Sequence, residues 1–330
     1  MERIRMEHGS GGRATGELIG EIFEKAFSNE ILSQMEDAAV LPGAGQIAVT
    51  TDSFVVTPLE FPGGDIGRLC ICGTVNDLLM RGAAPKYITC GFILEEGADI
   101  PQLKRIAASM ADTAKEAGVL IIAGDTKVVE GSGGVYINTT GVGFVPEQVD
   151  IRAANSRPGD VILVSGNLGD HHAAILSSRM EIHNSIKSDN APLLEMVQKL
   201  LENNIRVHVL RDVTRGGLAT VLKELAESSG QTFEIREEAI PVDPQVKDFC
   251  GLLGLDPLYM GNEGKMIAIV AREDADRALS LIRSSRYGEN AAVIGEVCQE
   301  EASGRLILRT RIGGRRILEE LQGEGLPRIC

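Results

Sequence analysis

Tryptophan is absent from the 330-residue chain and aromatic residues make up only 4% of it, while glycine occurs 38 times. That balance points to many tight turns and close backbone approaches. No apolar run comes near the ~18 residues that a membrane span requires; the stretches 119–123 and 266–271 are typical. No run of Lys and Arg could track a phosphate backbone, and the net charge is −14, so no nucleic-acid partner is expected. Residues 1–12 hold charges and glycines where a secretory signal needs an apolar stretch, and the expectation is a cytoplasmic chain. Six cysteines do not make a disulfide framework at this length. The phosphate-binding pattern G-x-x-x-x-G-K-S/T is missing, as is a complete G-x-G-x-x-G opening the first strand and helix, so any nucleotide binds by another scheme.

What remains is an ordinary globular composition, 43% hydrophobic and 24% charged, long enough for two domains. Apolar residues recur at helical spacing over 17–28, directly after the loop His8-Gly9-Ser10-Gly11-Gly12. A strand is expected over 47–56, a helix over 63–83, a strand over 87–94, a helix over 101–117 and strands over 119–123 and 135–145. A turn-rich linker at 155–160 opens a second unit. Its strands are expected over 161–165, 232–236, 265–271, 292–297 and 306–310, and its helices over 170–178, 191–203, 217–228, 244–253 and 273–284. Residues 311–330 hold four glycines and a proline and read as a mobile tail, with at most a short helix over 315–321. Two α/β domains fit this alternation.

Several acids fall at expected strand ends or turns: Glu36-Asp37, Asp52, Asn76-Asp77, Asp125 and Asp212. Carboxylates from several loops can bridge a hard cation to substrate phosphates; an acid beside Gly or Thr serves equally as a turn former or helix cap. Glycines accompany them at Gly9, Gly11 and Gly12, and at Gly216-Gly217, which open a helix after Asp212. Backbone N–H groups there suit a phosphate, although such pairs are also plain turns. Lys127 and Glu263 sit in glycine-flanked segments beside expected strands, either a tuned acid–base pair or a structural ion pair. His171 and His172 at a helix start are a phosphate or proton-transfer site, or a cap with an exposed His pair. Cys70, Cys72, Cys90, Cys250 and Cys298 lie in apolar surroundings and read as core. Cys330 stands apart, on a Pro327-Arg328-Ile329-Cys330 ending where a thiol is costly to leave exposed without purpose.

Taken together, the motifs resemble the hydrogenase-maturation carbamoyl dehydratases, the HypE family of the aminoimidazole-ribonucleotide-synthetase-like (PurM-like) superfamily. The residues carrying the resemblance run nearly end to end: the glycine loop, Thr51-Asp52-Ser53, Asn76-Asp77, 90–97, Gly124-Asp125-Thr126-Lys127, 212–217, Asn262-Glu263-Gly264-Lys265 and the terminal Pro-Arg-Ile-Cys. The acidic elements are shared across the superfamily, whereas the ending is specific to this member.

The resemblance implies a two-domain PurM-like fold, α/β (α+β) in class. Its parts are an N-terminal glycine-rich loop and helix over 1–36, an ATP-binding and dimerisation domain over 37–150, a C-terminal α/β domain over 151–310 and a tail over 311–330. It implies a homodimer paired through a β-rich interface. ATP is implied at Gly9, Ser10, Gly11, Gly12, Asp52, Asn76, Asp125, Thr126 and Gly216, and Mg2+ at Asp37, Asp52, Asp77 and Asp212. A HypF carbamoyltransferase would load Cys330, ATP would drive dehydration of the S-carboxamide to an S-cyanide, and a HypC–HypD complex would accept the cyanide. Glu263 with Lys127 as its charge partner is the expected base, and His171 the alternate. The rivals are a free-substrate synthetase of the same superfamily and a non-catalytic scaffold presenting its tail. A selenophosphate synthetase fits less well, because the first cysteine is Cys70 and the glycine loop has no reactive thiol.

Overall fold

Two sheets of different build flank one helix that is buried on almost every side. The computed structural model describes residues 3–5, 8, 17–32, 43, 45–298 and 303–321. Glycine-loop residues Gly9, Ser10, Gly11 and Gly12, together with Asp37 and Cys330, lie outside the described residues.

The first sheet is built from β1 (Ile47–Phe54), β4 (Ala84–Glu95), β5 (Leu120–Val129) and β6 (Val135–Phe144), in the order β1-β6-β4-β5. Only the β4–β5 pair is parallel, and the helix between those strands, α2 (Ile100–Glu116), makes the crossover such a pair needs. Asp99 caps α2 by accepting from the Gln102 N–H, and Pro101 takes the first turn, where its missing N–H costs nothing. A small hairpin of β2 (Glu60–Phe61) and β3 (Gly64–Asp65) occupies the start of the expected 63–83 helix. The helix proper, α1 (Ile66–Met80), begins where Asp65 accepts the Arg68 N–H at 2.9 Å. Thirteen of its fifteen residues are buried. Apolar residues spread round the helix are what a position between two layers requires: α1 packs on the first sheet along one side and meets β8 (Val207–Asp212) of the second unit along another.

The second sheet joins β8 to β7 (Val161–Val164), β9 (Phe233–Arg236), β10 (Met266–Val270), β11 (Ala292–Val297), β12 (Leu306–Arg309) and β13 (Arg315–Leu318). The order of its seven strands is β13-β12-β9-β11-β7-β10-β8. Strands β7 and β10 are central and buried at every residue, with apolar side chains on both faces. One face, with Ile162, Val164 and Ile267, packs on α5 (Gly217–Ser229). The other, with Leu163, Met266 and Ala268, packs on α3 (Asp170–Arg179), α4 (Leu194–Glu202) and α7 (Ala275–Arg283). Helix α6 (Pro244–Leu253) lies against α3.

Two expectations are corrected here. Strand β8 is absent from the elements expected from sequence, because its Val-His-Val-Leu-Arg-Asp run mixes polar and apolar residues as an edge strand does. The short helix expected over 315–321 is instead β13, paired antiparallel to β12. Residues 311–321, expected to be mobile, are instead tied to the body of the protein. Leu318 is buried, the Tyr259 hydroxyl donates to the Glu319 carbonyl at 3.0 Å, Lys223 pairs with the Glu319 carboxylate at 3.4 Å, and the Leu321 N–H donates to Thr220 Oγ1 at 3.0 Å.

Among the described residues, no helix is long and apolar enough to cross a membrane.

Candidate functional site

Strand β1 is an edge of the first sheet and β8 an edge of the second, and α1 touches both. A cleft of about 1140 Å³ opens along this seam, lined by Asp52 and Phe54 from β1, Asp77 from α1, Asp212 from β8, Glu263, and a basic set of Arg81, Arg152, Arg179, Arg211 and Arg215. That volume suits a nucleotide-sized ligand with room to spare. Three strand or helix elements and one loop thus bring four acids to one place.

Each acid is aimed by local structure. Along β1 the odd-numbered residues 47–53 are exposed and the even-numbered ones half-buried, so Asp52 shares the inward face with Thr50. Thr50 donates its hydroxyl to the Asp77 carboxylate at 2.8 Å, tying strand to helix. Gly73 on α1 makes the approach possible: a Cβ there would lie 2.8 Å from the Phe54 ring, with Asp52 Oδ2 only 3.9 Å away. Asp212 ends β8 opposite Met266, and beyond the strands the pairing continues, with the Val213 N–H bonded to the Lys265 carbonyl at 2.9 Å and the Asn262 N–H to the Val213 carbonyl at 3.0 Å. This extension seats Glu263 beside Asp212.

Crowding of like charge shows in the titration of these groups. Burial, with Asp52 close by, holds Asp77 above the usual carboxylate range even though Thr50 opposes it. Asp212 is pushed up to about 6 by burial and then by Asp77. Glu263 is raised strongly, first by burial and then by Asp189, Asp212 and Asp52, with Arg215 acting in the other direction. A cation or protons must relieve such a set. Among the described residues no three acidic, histidine or cysteine side chains close up into a metal cage by themselves. The donor set fits Mg2+ in its usual mode, in which a few carboxylates share the ion with substrate phosphates and water.

Among the described residues, the expected site residues Asp125, Thr126, Lys127 and His171 do not line this cleft. Lys127 is not the charge partner of Glu263: its ammonium is 2.8 Å from the Asp125 carboxylate, and both side chains are about two-thirds exposed. Residues 125 and 127 are two apart on β5, so they share the open face of the first sheet, whereas Asp52 points to the opposite face. Thr126, between them, is buried beneath the sheet, and its N–H donates to Asp125 Oδ1 at 2.9 Å. Lys127 and the Thr126 N–H hold the Asp125 carboxyl below its ordinary value, the lysine more strongly. On the same open face Ile47, Val49, Ile93, Leu120 and Val129 are exposed.

His171 does not reach the cleft. It is fully buried, edge-on to Phe61 at 5.6 Å, with Nδ1 2.8 Å from Ser188 Oγ. Burial pushes its pKa down to about 4, so it is neutral, as is His172. The side chain of Asn76 is committed to protein backbone: it donates to the Ala191 carbonyl at 3.1 Å and accepts from the Leu193 N–H at 2.9 Å. Gly216 opens α5 with φ +77°, and a Cβ there would meet Thr220 Oγ1 at 2.6 Å; its neighbours Thr214 and Arg215 line the cleft. Cys70, Cys72, Cys90 and Cys250 are buried as expected, and burial pushes Cys90 up to about 12 and Cys250 to about 11; Cys298 is only half-buried.

Three of the cleft's arginines, Arg81, Arg152 and Arg179, carry no signal in the sequence. They are scattered singly through the chain, and only the packing of the two units brings them together.

Comparison with known proteins places this geometry in a family. The N-terminal domain of AIR synthase related protein matches residues 35–145 and its C-terminal domain residues 157–307. A protein of Cupriavidus necator named carbamoyl dehydratase HypE is 52% identical over 334 residues, covering 99% of this chain and 95% of that one. A crystal structure of the hydrogenase maturation protein HypE in complex with ATP superposes with a TM-score of 0.94 at 46% identity, covering 98% of this chain and 99% of that chain. A chain from a crystal structure of a HypE–HypF complex gives a TM-score of 0.80 at 47% identity, with 92% and 99% covered.

Proposed function

Because the chain belongs to the HypE carbamoyl dehydratases of the AIR synthase related family, we propose that it dehydrates an S-carboxamide on its own Cys330 to an S-cyanide at the expense of ATP. The product supplies the cyanide ligand of a nickel–iron hydrogenase. The observation that supports this reading most is the convergence of Asp52, Asp77, Asp212 and Glu263 in one large cleft, in a chain similar throughout its length to a dehydratase and to an ATP complex.

An amide oxygen is a poor leaving group. In the proposed reaction the γ-phosphoryl group of ATP passes to that oxygen, the C–O bond breaks with release of phosphate, and the two N–H protons are lost as the carbon–nitrogen triple bond forms. Positioning and charge neutralisation dominate such a transfer. Asp52, Asp77 and Asp212, with Asp37 from outside the described residues, would hold Mg2+, which supplies the positive charge that the polyphosphate needs. Glu263 takes the amide protons. Burial first, and then the neighbouring acids, raise its pKa, so that once ionised it is a stronger proton acceptor than an exposed carboxylate. The glycine loop and the start of α5 at Gly216 receive phosphate oxygens through backbone N–H groups.

Asp125 and Lys127 enter this scheme only across a dimer. A second copy seated on the open sheet face would cover Ile47, Val49, Ile93, Leu120 and Val129 and carry Asp125 and Lys127 toward its neighbour's cleft. HypF is the proposed carbamoyl donor, in keeping with the HypE–HypF complex of a relative, and HypC–HypD the proposed cyanide acceptor.

Intact-mass spectrometry tests the reaction on protein carbamoylated by the transferase, before and after addition of ATP and Mg2+, with Cys330→Ala as control. Loss of one water from the C-terminal peptide, dependent on ATP and absent in the variant, is the expected result. A tail that never takes up the carbamoyl group, or keeps it unchanged with ATP, overturns the proposal in favour of a synthetase acting on a free substrate.

A further inference from the structure

We propose that Asp189 is a positioning residue for Glu263, gripping the backbone that carries it while Asn76 grips the same peptide from the other side. The proposal rests on the reading of Glu263 as the base. Asp189 belongs to the segment between α3 and α4, and its side chain is only 1% exposed. Its carboxylate accepts the Glu263 N–H at 3.1 Å and the Gly264 N–H at 3.4 Å, and lies 3.3 Å from the Lys265 ammonium. Three consecutive residues are thus fastened to one buried acid. Asn76 completes the hold, with its Nδ2 3.5 Å from the Glu263 carbonyl and 3.1 Å from that of Ala191.

Both flanks of this peptide are fixed as well. Asn262 accepts the Gly169 N–H at 2.8 Å and donates to the carbonyls of Val213 and Met260. Gly264 is pressed so closely on the 189–191 backbone that a Cβ there would fall 1.9 Å from the Asp189 carbonyl oxygen. A buried ion pair is weak evidence for stability, because desolvation consumes most of its attraction. The Asp189–Lys265 pair makes better sense as a device that fixes geometry: the carboxylate is held where two backbone donors converge, and the side chain of Glu263 is left as the one polar group of the loop facing the cleft.

Single-turnover loss of water from carbamoylated Cys330, measured alongside ATP affinity, tests the assignment on full-length Asp189→Ala, Asp189→Asn, Glu263→Gln and the Asp189→Asn/Glu263→Gln double variant. Misplacing a reacting group by an ångström costs about a hundredfold, and that is the loss expected for Asp189→Ala. Asp189→Asn keeps one oxygen for the Glu263 N–H and recovers part of it. ATP affinity stays within twofold. In the Glu263→Gln background, Asp189→Asn has no further effect, since it acts only through the side chain already removed. This cycle carries the test if Asp189→Ala does not fold. Equal slowing by Asp189→Asn in both backgrounds, or a parallel loss of ATP affinity, overturns the positioning role alone. A Glu263→Gln chain as fast as wild type overturns the assignment of the base and this inference with it.

Discussion

Lys127 and Asp125 form an ion pair at 2.8 Å on the open face of the first sheet, on the far side of that sheet from Asp52 and Asp77. No rotation of either side chain brings it round the sheet into the cleft of its own chain. A role in the reaction therefore requires a second copy, and subunit mixing tests it. Lys127→Ala and Asp212→Asn chains, each inactive alone, are expected to recover about a quarter of the wild-type rate when mixed equally, since half the dimers are hybrids and each has one intact site. A Lys127→Ala chain active by itself places Lys127 outside the reaction, and no recovery on mixing excludes a role across the dimer.

Glu263→Gln keeps the shape of the cleft and removes the proton acceptor. Dehydration of the carbamoylated tail is expected to slow by about a hundredfold to ten-thousandfold, while calorimetry finds ATP bound as in wild type. A rate within threefold of wild type reassigns the base.

His171 bears on stability rather than on chemistry. Its folded pKa is lowered from 6.5 to about 4, so between those values the unfolded chain binds a proton that the folded chain refuses. Stability contributed by the neutral ring is present above pH 6.5 and is lost as pH falls toward 4. The loss is about 3 kcal/mol, and His171→Gln should reduce the acid-induced destabilisation by that amount in urea titrations at pH 6.5 and pH 4. An unchanged difference between the two pH values sinks the argument.

Two glycines give opposite expectations for one substitution. Gly264→Ala forces a Cβ to within 1.9 Å of the Asp189 carbonyl oxygen and is expected to cost about 3 kcal/mol. Gly251 lies inside α6, where an added methyl would meet nothing within 4 Å and φ is not left-handed, so Gly251→Ala should stabilise by about 0.5–1 kcal/mol. Thermal melts of the pair check both signs.

Much of the fold is legible in alternation and capping. Asp99 and Pro101 mark the start of α2, and the unbroken apolar runs of β7 and β10 announce central strands. Strand β13 is not legible, because Arg315, Leu318, Glu319 and Leu321 are good helix formers and only pairing with β12 overrides that preference. Among site residues, Asp52, Asp77, Asp212 and Glu263 are legible through their motifs. Strand period alone puts residues 125 and 127 on one face, so the Lys127–Asp125 pair is also within reach of the sequence; the expected Glu263–Lys127 pair overlooks that rule. The burial of His171 depends on Ser188 and on Phe61 from the first unit, contacts between distant segments that no local pattern carries.

The hydrogen bond from Leu321 to Thr220 ties the last described residue to α5. Nine residues, 322–330, follow it up to Cys330, and a chain of that length spans no more than about 32 Å at full extension. If Cys330 is loaded and unloaded as proposed, the donor and the acceptor must each bring a reactive centre inside that radius, around the same end of α5, and so act there in turn.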